Sequence, residues 1–251
     1  MIEDPEGTVL ALFATFCRIG GCFMVLPGFS SFRVPLQIRL FLAVAVSLAL
    51  MPLLWDTIYP NVRDGGRVYI LLVGSEMLIG VTFGLVARYI VLALQYAGTG
   101  MSMAIGFNAA PGGGLIENEA EGHITSLITF AALFILFLTD FHHMIIGSLV
   151  RSYSFMPMGT EFDPRLALMT LTDTLAGSFM LVLRLASPFL VYGLIFNLSI
   201  GMVNKLAPQI PVYFISIPFI LCGGLILLFF GINTFLTLFA DGFETLFMGA
   251  I

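Results

Sequence analysis

The chain has 251 residues, of which 59% are hydrophobic and only 10% charged, with a mean hydropathy of +1.05. A soluble domain carries about 25% charged residues, so this composition excludes an ordinary soluble enzyme and points to an integral membrane protein. The formal net charge of −5 and a single lysine, Lys205, speak against nucleic-acid partners, which require clustered cations.

The N-terminal run Met-Ile-Glu-Asp-Pro-Glu is acidic, so no cleavable signal peptide is expected. Six apolar blocks follow, at about 8–30, 36–54, 67–98, 124–150, 175–206 and 211–240. Each is close to or above the roughly 20 residues a spanning helix needs. The third and fifth exceed one span, so they tilt, kink or run beyond the hydrocarbon. The spacing therefore predicts an all-α polytopic membrane protein with about six long helices and a single domain over 1–251. Between blocks four and five, the polar interval 151–174 reads as a turn at Asp163-Pro164 followed by a helix start at Thr172 to Thr174. Short-loop cations place Arg63, Arg67, Arg151 and Arg165 on one side against Arg33, Lys205 and Arg39 on the other. By a margin of one or two cations, the positive-inside rule leans toward both termini in the cytoplasm.

Eight ionisable residues fall inside the apolar blocks: Arg18, Arg39, Glu76, Arg88, Asp140, His142, His143 and Arg184. Each costs about 2.5–3.5 kcal/mol at a bilayer centre, so together they cannot face lipid. They either pair with one another and with neighbouring subunits, or line a proton or ion pathway. Pairing is the reading adopted for Arg18, Arg39, Glu76, Arg88, Asp140 and Arg184. In block three Gly80 and Gly84 form a G-x-x-x-G, where helix backbones can approach. In block five Gly193, Asn197, Gly201 and Lys205 fall near one helical face. That small and polar stripe is a packing seam, either within the chain or between subunits. Pro188, inside the same block, should kink the helix by removing the hydrogen bond to the carbonyl of Arg184.

No motif carries catalysis. There is no G-x-x-x-x-G-K-[ST] for nucleotide. His142 and His143 are adjacent, so their side chains should diverge by about 100° on a helix and cannot chelate one metal alone. Cys17, Cys22 and Cys222 lack C-x-x-C spacing and read as buried thiols. No catalytic, cofactor-binding or metal residue is expected, and the chain is expected not to be an enzyme.

One stretch breaks the pattern: Gly106 to Glu121, GFNAAPGGGLIENEAE. Gly112, Gly113 and Gly114 are unfavourable in a helix and Pro111 would break one. It is either a solvent-exposed connection or a mobile segment that lines or closes a passage, since irregular backbone at membrane depth survives only in protein or facing a cavity.

From Ala186 the chain reads ASPFLVYGLIFNLSIGMVNKLAPQIPVYFISIPF, which supplies Ala186, Pro188, Asn197, Gly201, Lys205, Ala207, Pro208, Gln209 and Pro218. This pattern resembles the FliR family, the flagellar export-gate subunit, whose injectisome relatives are called SctT. Lysine at 205 departs from the arginine common there. Arg18, Pro27, Pro35, Arg39 and Pro52 look like the family's first two segments. Phe137, Leu138 and His143 are similar to its Phe-Leu…His element, and Pro157 and Gly159 to its Pro-x-Gly. Two departures stand out, Phe141-His142 before the histidine and Asn108 to Pro111, where relatives often have Asp-Pro.

The resemblance implies a subunit of a helical hetero-oligomer with FliP-like and FliQ-like proteins, associated with a FlhB-like switch protein. It would sit in the bacterial inner membrane at the base of the flagellar basal body, passing unfolded flagellar proteins. On this reading Pro188, Gly193, Asn197, Gly201, Lys205, Pro208 and Gln209 form the subunit-packing seam. The plug of the closed pore would comprise Gly106, Phe107, Pro111, Gly112, Gly113, Gly114, Leu115, Ile116 and Glu117, with Phe107, Leu115 and Ile116 as an apolar seal. Membrane lipids are further partners, and no cofactor is implied. The rival readings are an injectisome SctT-type subunit and a free-standing secondary transporter with its site near the midplane.

Overall fold

The computed structural model describes residues 4–29, 34–62, 67–107, 122–159 and 162–250. Within them lie seven α-helices and no strand: α1 (Pro5–Val25), α2 (Leu36–Val62), α3 (Arg67–Ala104), α4 (His123–Leu138), α5 (Phe141–Phe155), α6 (Pro164–Leu206) and α7 (Val212–Gly249). Five are long and apolar enough to cross a membrane, six if α4 and α5 together count as one broken span. The chain is an all-α polytopic membrane protein.

Three elements differ from the sequence expectation. Block four is two helices, because Asp140 adopts the left-handed conformation (φ 56°, ψ 31°) and interrupts the hydrogen-bond ladder after Thr139. The interval 151–174 is mostly helical, since α5 runs to Phe155 and α6 starts at Pro164. There Asp163 Oδ1 accepts the backbone N–H groups of Arg165 and Leu166 at 2.9 and 3.3 Å, which caps α6 behind a proline at its first position. Finally, α3, α6 and α7 reach 38, 43 and 38 residues. At 1.5 Å per residue these are about 57–65 Å long, roughly twice the hydrocarbon thickness.

Pro188 does not end α6. The Arg184 carbonyl that a proline at 188 deprives of its backbone donor accepts the Ser187 hydroxyl at 2.9 Å. This local substitution keeps a polar group satisfied in an apolar helix.

The chain forms two compact units. The first comprises Met1–Ile90, Asp140–Leu175 and Thr245–Ile251; the second comprises Val91–Thr139 and Ala176–Glu244. In the first, α1 starts under a cap: Asp4 Oδ1 accepts the Gly7 N–H at 3.0 Å, with Pro5 at the first helical position. The other carboxylate oxygen of Asp4 accepts the Tyr59 hydroxyl at 2.9 Å, which ties this end of α1 to α2. Below the cap, Ala11 and Ala14 of α1 pack with Met51, Leu54 and Ile58 of α2 and Tyr153 of α5.

The contact of α1 with α3 is closer still. A Cβ added at Gly80 would run into the carbonyl oxygen of Arg18, and one at Gly84 would lie 2.7 Å from the carbonyl oxygen of Cys22. From the other side, a Cβ on Gly21 would lie 2.7 Å from the carbonyl oxygen of Met77. The two backbones therefore touch along three glycines, the small-residue packing that drives helix association in lipid.

In the second unit glycines again admit neighbours. Gly98 of α3 faces Thr125 of α4, and Gly193 of α6 faces the carbonyl oxygen of Ala104, where a Cβ would lie 2.6 Å away. The Tyr192 hydroxyl of α6 donates to the Ile220 carbonyl of α7 at 2.9 Å. Gly106 closes α3 with φ 74°, the left-handed residue that terminates many helices.

Gly80→Ala should therefore overpack the α1–α3 contact and cost about 1–3 kcal/mol. Gly74→Ala on the same helix, where an added Cβ meets nothing within 4 Å, should be neutral or slightly stabilising. Thermal unfolding of the two variants in detergent separates them; equal melting temperatures would remove the close-approach argument.

Candidate functional site

The most heavily constrained polar group is Arg18, in the middle of α1. Its side chain is fully buried, as is that of Glu76 on α3, at 0% and 1% exposure. Arg18 Nε donates to Glu76 Oε2 at 2.6 Å and Nη2 to Glu76 Oε1 at 2.8 Å. This is the two-pronged geometry in which a guanidinium binds a carboxylate most strongly. The remaining donors are also directed: Nη1 to Ser152 Oγ at 2.9 Å, and Nη2 to the Met156 carbonyl at 3.1 Å. Ser152 Oγ in turn donates to the Leu149 carbonyl at 2.6 Å. The guanidinium carbon lies 3.9 Å from the centre of the Tyr153 ring, a cation–π contact. Three helices, α1, α3 and α5, thus meet on one charged group. Burying two charges costs several kcal/mol per ion, and only excellent geometry with saturated hydrogen bonding compensates.

The other ionisable residues of the apolar blocks stand differently. Arg39, half-buried near the start of α2, donates through Nε and Nη2 to the Val34 carbonyl at 3.2 and 2.9 Å. Arg88 on α3 and Arg184 on α6 are exposed, and Asp140 is exposed at the start of α5. Within the α6 stripe, Gly193 is buried against α3, while Pro188, Asn197, Gly201, Lys205, Pro208 and Gln209 are exposed. Asn197 Nδ2 donates to the Gly193 carbonyl at 2.8 Å. Of the residues expected to form a plug, Gly106 and Phe107 are half-buried at the end of α3. Pro111, Gly112, Gly113, Gly114, Leu115, Ile116 and Glu117 lie outside the described residues.

His142 and His143 overturn the expectation that adjacent histidines point apart. Their ring centroids are 4.2 Å from each other with the planes inclined by 40°. Asp140 Oδ1 lies 3.9 Å from His142 Nε2 and 3.4 Å from His143 Nδ1. The residues sit at the beginning of α5, where the left-handed Asp140 brings its carboxylate alongside the first turn. The 100° rotation per residue describes Cα–Cβ directions, and flexible imidazole arms with a preceding non-helical residue escape it.

A cavity of about 190 Å³ in the first unit is lined mainly by apolar side chains, among them Ile79, Phe83 and Val86 of α3, Phe155 and Leu166. Its one acid, Asp163, is occupied in capping α6. Such a space suits an apolar group.

A family model described as bacterial export proteins, family 1, matches residues 9–246. The flagellar biosynthetic protein FliR of Caulobacter vibrioides is 31% identical over 238 residues, covering 92% of this chain and 92% of the relative. FliR of Aquifex aeolicus is 27% identical over 96% of this chain and 93% of its own, and FliR of Escherichia coli 24% over 86% and 82%. The chain belongs to the FliR family of bacterial export proteins. The matched span takes in the Arg18–Glu76 pair, the α6 stripe and the start of α5 alike. For a FliR-family chain the membrane setting makes the buried pair more demanding, because neither ion can fall back on water.

Sequence reasoning found both ions of this pair through the cost of charge in an apolar block. It missed Ser152, Tyr153 and the Met156 carbonyl, which lie 134–138 positions from Arg18 in the polar interval after block four. The only available signal was a Ser-Tyr-Ser run at the end of an apolar helix, too common to single out.

Removing one ion should be far worse than removing both. Glu76→Leu leaves an unpaired buried guanidinium and should cost about 3–5 kcal/mol. Combining Arg18→Met with Glu76→Leu should restore most of that stability. Melting temperatures of the single and double variants, purified in detergent, provide the comparison; a double variant no better than the single would show that the pair is not the constraint.

Proposed function

We propose that this chain is a structural subunit of the flagellar type III export gate. It packs with FliP-like and FliQ-like subunits around, and helps to seal, the pore that passes unfolded flagellar proteins. It lies in the bacterial inner membrane at the base of the flagellar basal body, associates with a FlhB-like switch protein, and performs no catalysis of its own. Energy comes from the proton motive force and a separate ATPase.

The observation that carries this reading is the placement of exposed charge on the long helices. Arg184 is exposed midway along the 43-residue α6, flanked by exposed Leu183, Leu190 and Val191. Arg88 is exposed on α3 in the same way, beside exposed Leu92. A charge in the middle of an apolar helix surface is costly against lipid and is accommodated by protein or by water in a protein-lined space. Helices about twice the bilayer thickness also suit a subunit packed among others better than one surrounded by lipid. The relatives named above are flagellar, which favours flagellar over injectisome cargo. The membership also weighs against a free-standing transporter.

Native mass spectrometry of the chain expressed with its FliP-like and FliQ-like neighbours should show a hetero-oligomer containing this chain. Arg184→Glu should reduce that complex at least several-fold while leaving the isolated chain folded. A stable homo-oligomer indifferent to those neighbours would overturn the proposal.

For the seal, the segment with Gly112, Gly113 and Gly114 is assigned the role of plug, with Phe107, Leu115 and Ile116 as its apolar part and Glu117, Glu119 and Glu121 keeping the displaced segment hydrated or pairing with a neighbour. Deleting Gly112–Gly114 should raise ion conductance through the closed gate in planar bilayers. Unchanged conductance would take the plug role away from this segment without touching subunit membership.

A further inference from the structure

The start of α5 carries three potential metal ligands that neither the buried ion pair nor the export reading uses. Asp140 has the one positive φ of any non-glycine residue among the described residues. It stands at the N-cap of α5, yet its side chain makes no cap hydrogen bond to the helix backbone. The carboxylate, free of that common duty, lies against two imidazoles instead. Its Oδ1 is 3.4 Å from His143 Nδ1 and 3.9 Å from His142 Nε2, and the three ligand atoms all fall within 4.8 Å of one another.

These spacings are close to those of a coordination sphere. An ion bound tetrahedrally at about 2.0–2.1 Å from nitrogen and oxygen holds its ligands roughly 3.3 Å apart. The Asp140–His143 spacing already meets this, and the remaining closure requires only side-chain rotation at the surface. His143 and Asp140 are 72% and 71% exposed, so both side chains are free to adjust. The His142 ring, by contrast, is 33% exposed and rests edge-on against the buried Phe141 ring at 6.2 Å. One ligand is thus held while two can close on the ion.

We propose that Asp140, His142 and His143 bind a late first-row divalent ion, Zn²⁺ above all, with water in the fourth position. Two imidazoles and one carboxylate select such ions over Mg²⁺ and Ca²⁺, which require several oxygen ligands. A cation at a helix N-terminus meets the positive end of the helix dipole, and the Asp140 carboxylate offsets it. Bound there, the ion ties the left-handed residue to the first turn of α5 and holds the helix start in one conformation.

The test uses the full chain in detergent, with its affinity tag removed and bound metal stripped by chelator. Titration with Zn²⁺ by calorimetry, with the bound ion counted by elemental analysis, should give one ion per chain, undiminished by excess Mg²⁺. Asp140→Gly is the informative variant, since glycine accepts the left-handed backbone while deleting the carboxylate. It should keep the melting temperature of the metal-free chain and weaken Zn²⁺ binding at least about tenfold, the lower end of what even outer-shell partners of a metal contribute. His142→Gln with His143→Gln should abolish binding, whereas His123→Gln and Cys222→Ser should leave it intact. With Cu²⁺ as probe, electron paramagnetic resonance should report two nitrogen ligands, lost in the double histidine variant. Absence of stoichiometric uptake, or uptake that survives the double histidine variant, overturns the site.

Discussion

A guanidinium and a carboxylate removed from water sit between three helices, and much of the first unit is arranged to tolerate them. Each ion alone would cost several kcal/mol in a low-dielectric interior. The cost is offset because Arg18 reaches Glu76 through two parallel hydrogen bonds and directs further donors at Ser152 and the Met156 carbonyl. That geometry depends on how closely α1 and α3 approach. Gly80 lies directly beneath the Arg18 carbonyl, so the glycine contact and the ion pair depend on each other. With a side chain at 80 the helices would part and the pair would lose its two-pronged register. Tyr153 then covers the guanidinium from α5, so the same charge orients a third helix.

How far this was legible follows from which signals are local. Capping is a matter of three or four neighbouring residues, so the Asp-Pro pairs that start α1 and α6 were open to reading. Yet Asp163-Pro164 reads in sequence as a turn ahead of a helix start at Thr172 to Thr174, whereas α6 begins at Pro164. The helix break at Asp140 was not legible, because a lone aspartate in an apolar block reads as a costly charge before it reads as a left-handed residue. Helix lengths were underestimated for a related reason. Thresholds set by bilayer thickness end a block when polarity rises, whereas α6 continues through Asp173 and Thr174 with its ladder intact. The G-x-x-x-G of Gly80 and Gly84 was legible as a close approach, while its partner surface on α1 was not.

The polar residues illustrate the same division. That Arg18 and Glu76 could not face lipid followed from transfer cost alone; that they chose each other across 58 positions is a tertiary fact. Pro188 was expected to disturb its helix through the carbonyl of Arg184. The preceding residue, Ser187, supplies the missing donor, a remedy visible in sequence only once the helix is known to continue.

The charges of the apolar helices therefore fall into two kinds with different consequences. Arg18 and Glu76 are satisfied inside the chain, so they are tolerated without reference to any neighbour. Arg88 and Arg184 are exposed on surfaces otherwise rich in leucine and valine. A surface of that composition is suited neither to lipid, which rejects the charge, nor to water, which rejects the aliphatic majority. On the proposed reading, neighbouring subunits with opposite charge would resolve both conflicts together. The stripe on α6 fits the same logic, because Gly193 is used against α3 while Asn197, Gly201 and Lys205 continue outward along the helix. A single helix thus serves packing within the chain at Gly193 and carries small and polar residues on its exposed continuation.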